Sequence, residues 1–237
     1  MDLFHVIKNE NKYWLVDQLD VDHVSEEEYK TEFKTIYNSW KEKKIGFLSL
    51  MIDDSYEEWL TKFNFKKITT FVNYYRELSQ IGNVISKVKI YCLDDELIDE
   101  NEFAQLYAEC REGTANKNDQ SEISDVMQSI KTELGPDWKK NCYYFKLKDE
   151  YVGLSIPHIE IGKTDEGRLF YFGVMPTMRN QGLGKTIHKI SLALLKNKFN
   201  ATYYIGSTDT NNEHMIKIFE ANNCELKNKK GVYKVEA

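Results

Sequence analysis

The tightest constraint on this chain lies in Val174-Met175-Pro176-Thr177-Met178-Arg179-Asn180-Gln181-Gly182-Leu183-Gly184-Lys185-Thr186. A strand-like run, Arg168–Met175, stops at a proline. After a short turn, Gly182 and Gly184 lead into Lys185–Phe199, where Ile187, Ile190, Leu194 and Leu195 fall on one helical face. Such a junction leaves backbone N–H groups unpaired at the helix start, where the aligned peptide dipoles favour an anion. The glycines let the backbone approach a phosphate with no Cβ between them. Arg179 adds a fixed positive charge and a fork of donors. The stretch reads as a pyrophosphate cradle.

Around it the pattern alternates strand and helix. Lys12–Val16, Gly46–Ile52 and Lys67–Glu77 read as strands. Between them, Ser25–Lys41 reads as a helix with a Ser25/Glu28 capping box and an apolar stripe of Tyr29, Phe33, Ile36, Tyr37 and Trp40; Ser55–Phe63 is a shorter one. A strand at Val88–Cys92 opens a second series. Two helices follow, one starting at Asp99–Glu102 and one at Ser121–Leu134, with a polar loop Gly113–Gln120 between them as a place for substrate. Three strands come next (Cys142–Leu147, Tyr151–Ile161, Arg168–Met175), then the cradle helix, a strand Thr202–Gly206, a helix Glu213–Asn222 and a closing strand Gly231–Val235. The turn-like Ser79-Gln80-Ile81-Gly82-Asn83 sets the join between two units, 1–86 and 87–237.

Composition narrows the function. With 32 Lys+Arg against 38 Asp+Glu, the net charge of −6 disfavours a nucleic-acid binder, which needs a basic face. No apolar run approaches the ~20 residues of a membrane span, and the start MDLFHVIKNENKYW lacks a signal-peptide pattern, so the expectation is a soluble, cytoplasmic protein without membrane attachment. Cys92, Cys110, Cys142 and Cys224 are scattered and the five histidines dispersed, which predicts buried reduced thiols and no metal site.

Spacing separates the possible cradles. A P-loop needs a glycine five residues before its Gly-Lys-Thr tail, and Arg179 stands there; a nucleotide site built on Gly184-Lys185-Thr186 is therefore set aside. A dinucleotide fingerprint needs a third glycine where Ile187 stands. What remains, Arg-x-x-Gly-x-Gly after a strand and a proline, resembles motif A of the GNAT superfamily of N-acetyltransferases. The run Asn212-x-x-Met215-x-x-Ile218-Phe219 resembles motif B, and the likeness covers about residues 88–237.

The resemblance implies a mixed, mostly antiparallel sheet with a V-shaped split, flanked by helices, plus a smaller amino-terminal α/β unit. It implies acetyl-CoA as cosubstrate and direct attack by an amine of a small molecule or peptide, with no covalent enzyme intermediate. Backbone of Phe172, Gly173, Val174 and Met175 would pair with the pantetheine like an added strand. Arg179, Asn180, Gln181, Gly182, Leu183, Gly184, Lys185 and Thr186 would hold the pyrophosphate, and Asn212, Met215 and Phe219 would contact the pantetheine arm. A backbone donor near Val174 would stabilise the oxyanion. His158 and Glu160, two apart on one strand face, are the candidates for the base; a packed histidine and a solvated glutamate are the plainer readings of each. Many family members carry a tyrosine as general acid where this chain has Phe219, so that role falls to Tyr203 or Tyr204, or goes unfilled.

The segment Tyr56–Phe65 before Lys67–Glu77 resembles the end of a second GNAT unit, with Asn64-Phe65 matching the later Asn223-Cys224. No cradle precedes it. The first unit reads either as a degenerate, cofactor-free half or as an unrelated cap. The leading function is an acetyl-CoA-dependent N-acetyltransferase, monomeric or homodimeric. The alternative is a CoA-binding regulatory or interaction protein without transfer activity.

Overall fold

The computed structural model describes residues 3–9, 12–19, 24–82, 84–114 and 122–237. The chain forms two compact units: residues 1–73 with 227–237, and residues 74–226. A join near residue 86 does not match this division, because the last strand returns to pair in the first unit. Ser79–Gly82 belongs to the second unit, where Lys196 Nζ donates to the carbonyls of Ser79 and Ile81 at 2.7 and 2.8 Å. Asn83 lies outside the described residues.

In the first unit β1 (Phe4–Asn9) and β2 (Tyr13–Gln18) form an antiparallel hairpin. Helix α1 (Glu26–Lys43) then crosses over to β3 (Phe47–Asp53), which runs parallel to β2 through five registered pairs from Tyr13↔Phe47 to Asp17↔Met51. A 3₁₀ turn, Asp54–Tyr56, and α2 (Glu57–Thr61) lead to β4 (Lys66–Glu77). The final strand, β10 (Glu225–Glu236), pairs antiparallel with β3 and completes the order β1-β2-β3-β10-β4. Period-two burial puts Trp14, Val16, Leu48, Leu50, Ile52, Tyr233 and Val235 on one sheet face, where Tyr29, Phe33 and Trp40 of α1 pack on them.

The second unit is an open sheet in the order β9-β8-β7-β6-β5. Its strands are β5 (Lys89–Cys92), β6 (Tyr143–Leu147), β7 (Glu150–Ile159), β8 (Glu166–Val174) and β9 (Tyr203–Asp209). They are antiparallel except for β8 and β9, which α5 (Leu183–Phe199) connects. Two buried clusters cover the two faces. Phe103, Leu106, Tyr107 and Cys110 of α3 (Glu100–Arg111), with Met127 and Ile130 of α4 (Ile123–Leu134), pack on Tyr144, Leu154 and Ile156. Ile187, Ile190 and Leu194 of α5 pack on Phe145 and Val152. Helix α6 (Glu213–Ala221) lies between β9 and β10 in sequence. The fold is the expected mixed, mostly antiparallel open sheet flanked by helices.

Candidate active site

The site begins where β8 and β9 part. Their parallel ladder contains only Glu166↔Tyr203 and Gly167↔Tyr204. On the other edge of β8, Met175 N–H donates to the Val152 carbonyl at 2.9 Å, and Val174 stands opposite Gly153. Antiparallel pairs alternate between hydrogen-bonded and non-hydrogen-bonded, so the peptide groups of Val174 and Phe172 turn away from β7 and toward the gap. A register shift between Ser155 and Pro157 kinks β8 just before this point.

The turn after β8 delivers the chain to α5 without a side-chain cap. The 3₁₀ turn Pro176–Met178 is followed by Asn180 and Gly182, both left-handed at φ 61 and 75. Gly182 is the helix N-cap, no side chain among the described residues bonds the first-turn N–H groups, and the first turn holds no acidic residue. The N–H groups of Leu183, Gly184 and Lys185 therefore have no intrahelical acceptor. Gly184 and Lys185 border a cleft of about 570 Å³ walled by β8, α5 and α6. On α6, Asn212 caps the helix by accepting the Met215 N–H at 3.2 Å, and His214 and Lys217 add polar groups to the cleft wall.

Of the residues expected at the cofactor, Phe172, Gly173, Val174, Arg179 and Asn180 line this cleft. So do Gly182, Gly184, Lys185, Asn212 and Met215. Met175 instead packs in the α3–α4 cluster, Gln181 is exposed, Thr186 is half-buried and does not line the cleft, and Leu183 joins the α5 cluster. Phe219 is fully buried against Tyr74, Tyr204 and His188, while its neighbour Ile218 faces the cleft. Gly113, Thr114, Tyr171, His214, Lys217 and Ile218 were not singled out as site residues. Helical spacing from Met215 points to Ile218, three residues on; His214 and Lys217 stand one and two residues from Met215, offsets that carry no such signal. Gly113 and Thr114 begin the polar loop expected near substrate; residues 115–120 lie outside the described residues.

The candidate bases lie elsewhere. His158 pairs with Arg168, five residues along β7 from the Val174 position, or about 17 Å at strand rise. It is buried, with Nε2 3.8 Å from Glu133 Oε1, and burial, followed by Arg168, lowers its pKa. Glu160 Oε2 lies 3.4 Å from Arg168 Nε. Neither lines the cleft. Tyr203 donates to Glu166 at 3.0 Å, and the fully buried Tyr204 hydroxyl faces His188 Nε2 at 3.3 Å, so neither reaches the cleft. The cleft-facing phenol is Tyr171. Its ring is held against Tyr107 at 4.1 Å between centroids, and its hydroxyl lies over Gly173, where a Cβ would come within 2.8 Å of it. Burial raises the Tyr171 pKa and keeps the phenol protonated. Among the described residues no group of three or more His, Cys, Asp or Glu side chains could hold a metal, and no helix is long and apolar enough to cross a membrane.

The acetyltransferase (GNAT) family model matches residues 101–223, just over half of the chain, and the chain belongs to that family. It is an acyltransferase of the GNAT type, a family that typically uses acetyl-CoA. Several solved structures share its fold. A GCN5-related N-acetyltransferase from Sphaerobacter thermophilus is 11% identical over 98% of this chain and 76% of that one, with a TM-score of 0.68. A tandem GNAT protein from the clavulanic acid biosynthesis pathway is 12% identical over 98% and 78%, with a TM-score of 0.63. A GCN5-related N-acetyltransferase from Kribbella flavida is 10% identical over 94% and 80%, with a TM-score of 0.57. At such identities the likeness is one of fold. No curated protein sequence matches the chain.

Proposed function

We propose that this protein is an acetyl-CoA-dependent N-acetyltransferase that passes an acetyl group directly to an amine of a small molecule or peptide. The observation that carries the reading is the uncapped start of α5, with Gly182 and Gly184 bordering a cleft that opens where β8 and β9 diverge. Gly182 has open space at its Cβ position, and its left-handed φ turns the first-turn N–H groups outward, which suits a pyrophosphate. Acetyl-CoA, when bound, supplies the thioester whose acetyl group is transferred. The gap-facing N–H of Val174 donates to the thioester oxygen as negative charge builds there. The Tyr171 hydroxyl donates a hydrogen bond toward the departing sulfur. The amine reacts in its neutral form, its surplus proton leaving through water to end on the thiol. Phe219 sits in the core, so its lack of a hydroxyl gives no reason to read a transfer-dead CoA binder.

The first unit, in the same reading, is a degenerate GNAT half that holds no acetyl-CoA. It repeats the order β-α-β-α-β seen from β8 to β10, but β2 and β3 stay zipped through five registered pairs. The start of α1 is capped by Ser25, which accepts the Glu28 N–H at 3.2 Å, and its first turn carries Glu26, Glu27 and Glu28, which repel an anion. The setting we propose is the reducing cytoplasm, consistent with four unpaired cysteines, with the chain a monomer or homodimer.

Calorimetric titration with acetyl-CoA, with ATP–Mg²⁺ as control, tests the reading. Micromolar binding of acetyl-CoA alone, followed by release of free thiol with an amine panel, is expected. A folded chain that binds no acetyl-CoA overturns it.

A further inference from the structure

Arg179 was expected to grip phosphate, yet its guanidinium is committed elsewhere. Nε donates to the Val174 carbonyl at 3.1 Å and Nη2 to the Cys110 carbonyl at 3.2 Å. The Nε–Nη2 edge, one of the two that can take a phosphate in bidentate fashion, is thus spent on two backbone acceptors.

Those acceptors belong to different elements. Val174 ends β8, and its carbonyl points into the gap. Cys110 lies in the last turn of α3, where carbonyls have no intrahelical donor. Its neighbours find local partners: Glu109 O takes the Glu112 N–H at 3.1 Å and Arg111 O takes the Thr114 N–H at 3.2 Å. Cys110 O is satisfied by Arg179, a cation set at a helix C-terminus, where the dipole favours it. Gly113 is left-handed at φ 61, and a Cβ there would sit 3.6 Å from Nη1, so the exit of α3 passes close beside the guanidinium. Cys110 Sγ also touches Sδ of Met175, the residue just after β8, at 3.5 Å, a second tie between α3 and the end of that strand. From Gly113 and Thr114, both cleft-lining, the chain runs into the loop between α3 and α4; from Arg179 it runs into the α5 cradle.

We propose that Arg179 is a positioning residue, a strut that fixes the exit of α3 against the end of β8 and so sets the acceptor-side wall of the cleft, and is not a ligand of the cofactor's phosphates. The inference rests on the acetyl-transfer reading for its kinetic test, but its structural test is independent of that reading.

The test compares the full chain with Arg179→Lys and Arg179→Gln, using two acyl donors, acetyl-CoA and S-acetylpantetheine, which lacks the nucleotide and its phosphates. A strut predicts that both variants, Lys included, lose on the order of tenfold or more in acceptor kcat/KM with either donor. The ratio between donors stays at the wild-type value. Wild-type behaviour of Arg179→Lys, or a loss confined to acetyl-CoA, overturns the strut in favour of a phosphate contact. Amide hydrogen exchange provides the independent readout: in both variants the Glu112 and Thr114 amides exchange faster while the α5 amides do not. Unchanged protection at Glu112 and Thr114 overturns the proposal even if no acetyl transfer is ever seen. Absent acetyl-CoA binding in the wild type, with faster exchange in the variants, sinks the acetyltransferase reading and leaves the strut standing.

Discussion

Asn222 donates its side-chain amide to Nδ1 of the buried His188 across 3.0 Å, and the same amide reaches the Lys185 carbonyl at 3.1 Å. The ring proton therefore sits on Nε2, which donates to the Tyr204 hydroxyl at 3.3 Å. His188 of α5 is thus tied to Asn222, just past the end of α6, and to Tyr204 of β9, and the Asn222 amide carries the link on to the first turn of α5. Burial, then Arg76, pushes the His188 pKa down to about 3.

That depression fixes a pH dependence. Unfolded, the histidine titrates near 6.5 and binds a proton that the native state refuses. The neutral-ring stability is fully present above 6.5 and is lost as the pH falls from there toward 3, by about 1.4 kcal/mol per pH unit. Denaturant unfolding of wild type and His188→Gln between pH 4 and 7 is the check. The variant is less stable at pH 7, and the gap should narrow as pH falls; a constant gap excludes a neutral native histidine.

Gly182 probes the cradle. At φ 75 an alanine costs about 1–2 kcal/mol in backbone strain, although open space surrounds the position. Gly182→Ala should lower stability by that amount. Gly182→Asp adds a charge at the anion site and should weaken acetyl-CoA binding by tenfold or more beyond the alanine variant, read by calorimetry. Equal affinities in the two variants would remove phosphate from this helix start.

Much of this was written in the sequence, and the limits are physical. The proline stop, the glycine pair and the α5 stripe are local, and the structure folds them locally. Strand β1 escaped notice because a mostly exposed edge strand carries little apolar alternation. The return of β10 to the first unit is non-local, and no residue near 226 marks it. Arg179 was legible as a cation beside a cradle, but which carbonyls it meets depends on α3, about 70 residues away in the chain. His158 and Glu160 fall on the strand before the cradle in the sequence, but the sequence does not say where along that strand the cleft opens, and strand rise carries them out of reach.

Tyr171→Phe tests the cleft phenol. Loss of a donor aimed at developing charge should lower kcat on the order of a hundredfold while acetyl-CoA affinity holds. Stopped-flow thiol release with saturating donor reads the first quantity and calorimetry the second. An unaltered kcat leaves the sulfur unassisted by this hydroxyl.

Glu160→Gln and His158→Asn carry the opposite expectation. Both side chains lie away from the cleft, so acetyl transfer should keep the wild-type rate and pH profile. A collapse of kcat in Glu160→Gln, with the fold intact by circular dichroism, would return the base to that strand.

The two units differ at their helix starts, and stoichiometry reads the difference. Ser25 caps α1 under three glutamates, whereas α5 starts bare behind Gly182. Acetyl-CoA should therefore titrate to one site per chain. Ser25→Ala should cost about 1 kcal/mol of stability through the lost cap. It should not create a second site, because β2 and β3 remain zipped and the glutamates remain in place. Two equivalents bound per wild-type chain would show that a closed ladder and an acidic helix start do not exclude the ligand, and the first unit would then have to be read as a working acetyl-CoA site.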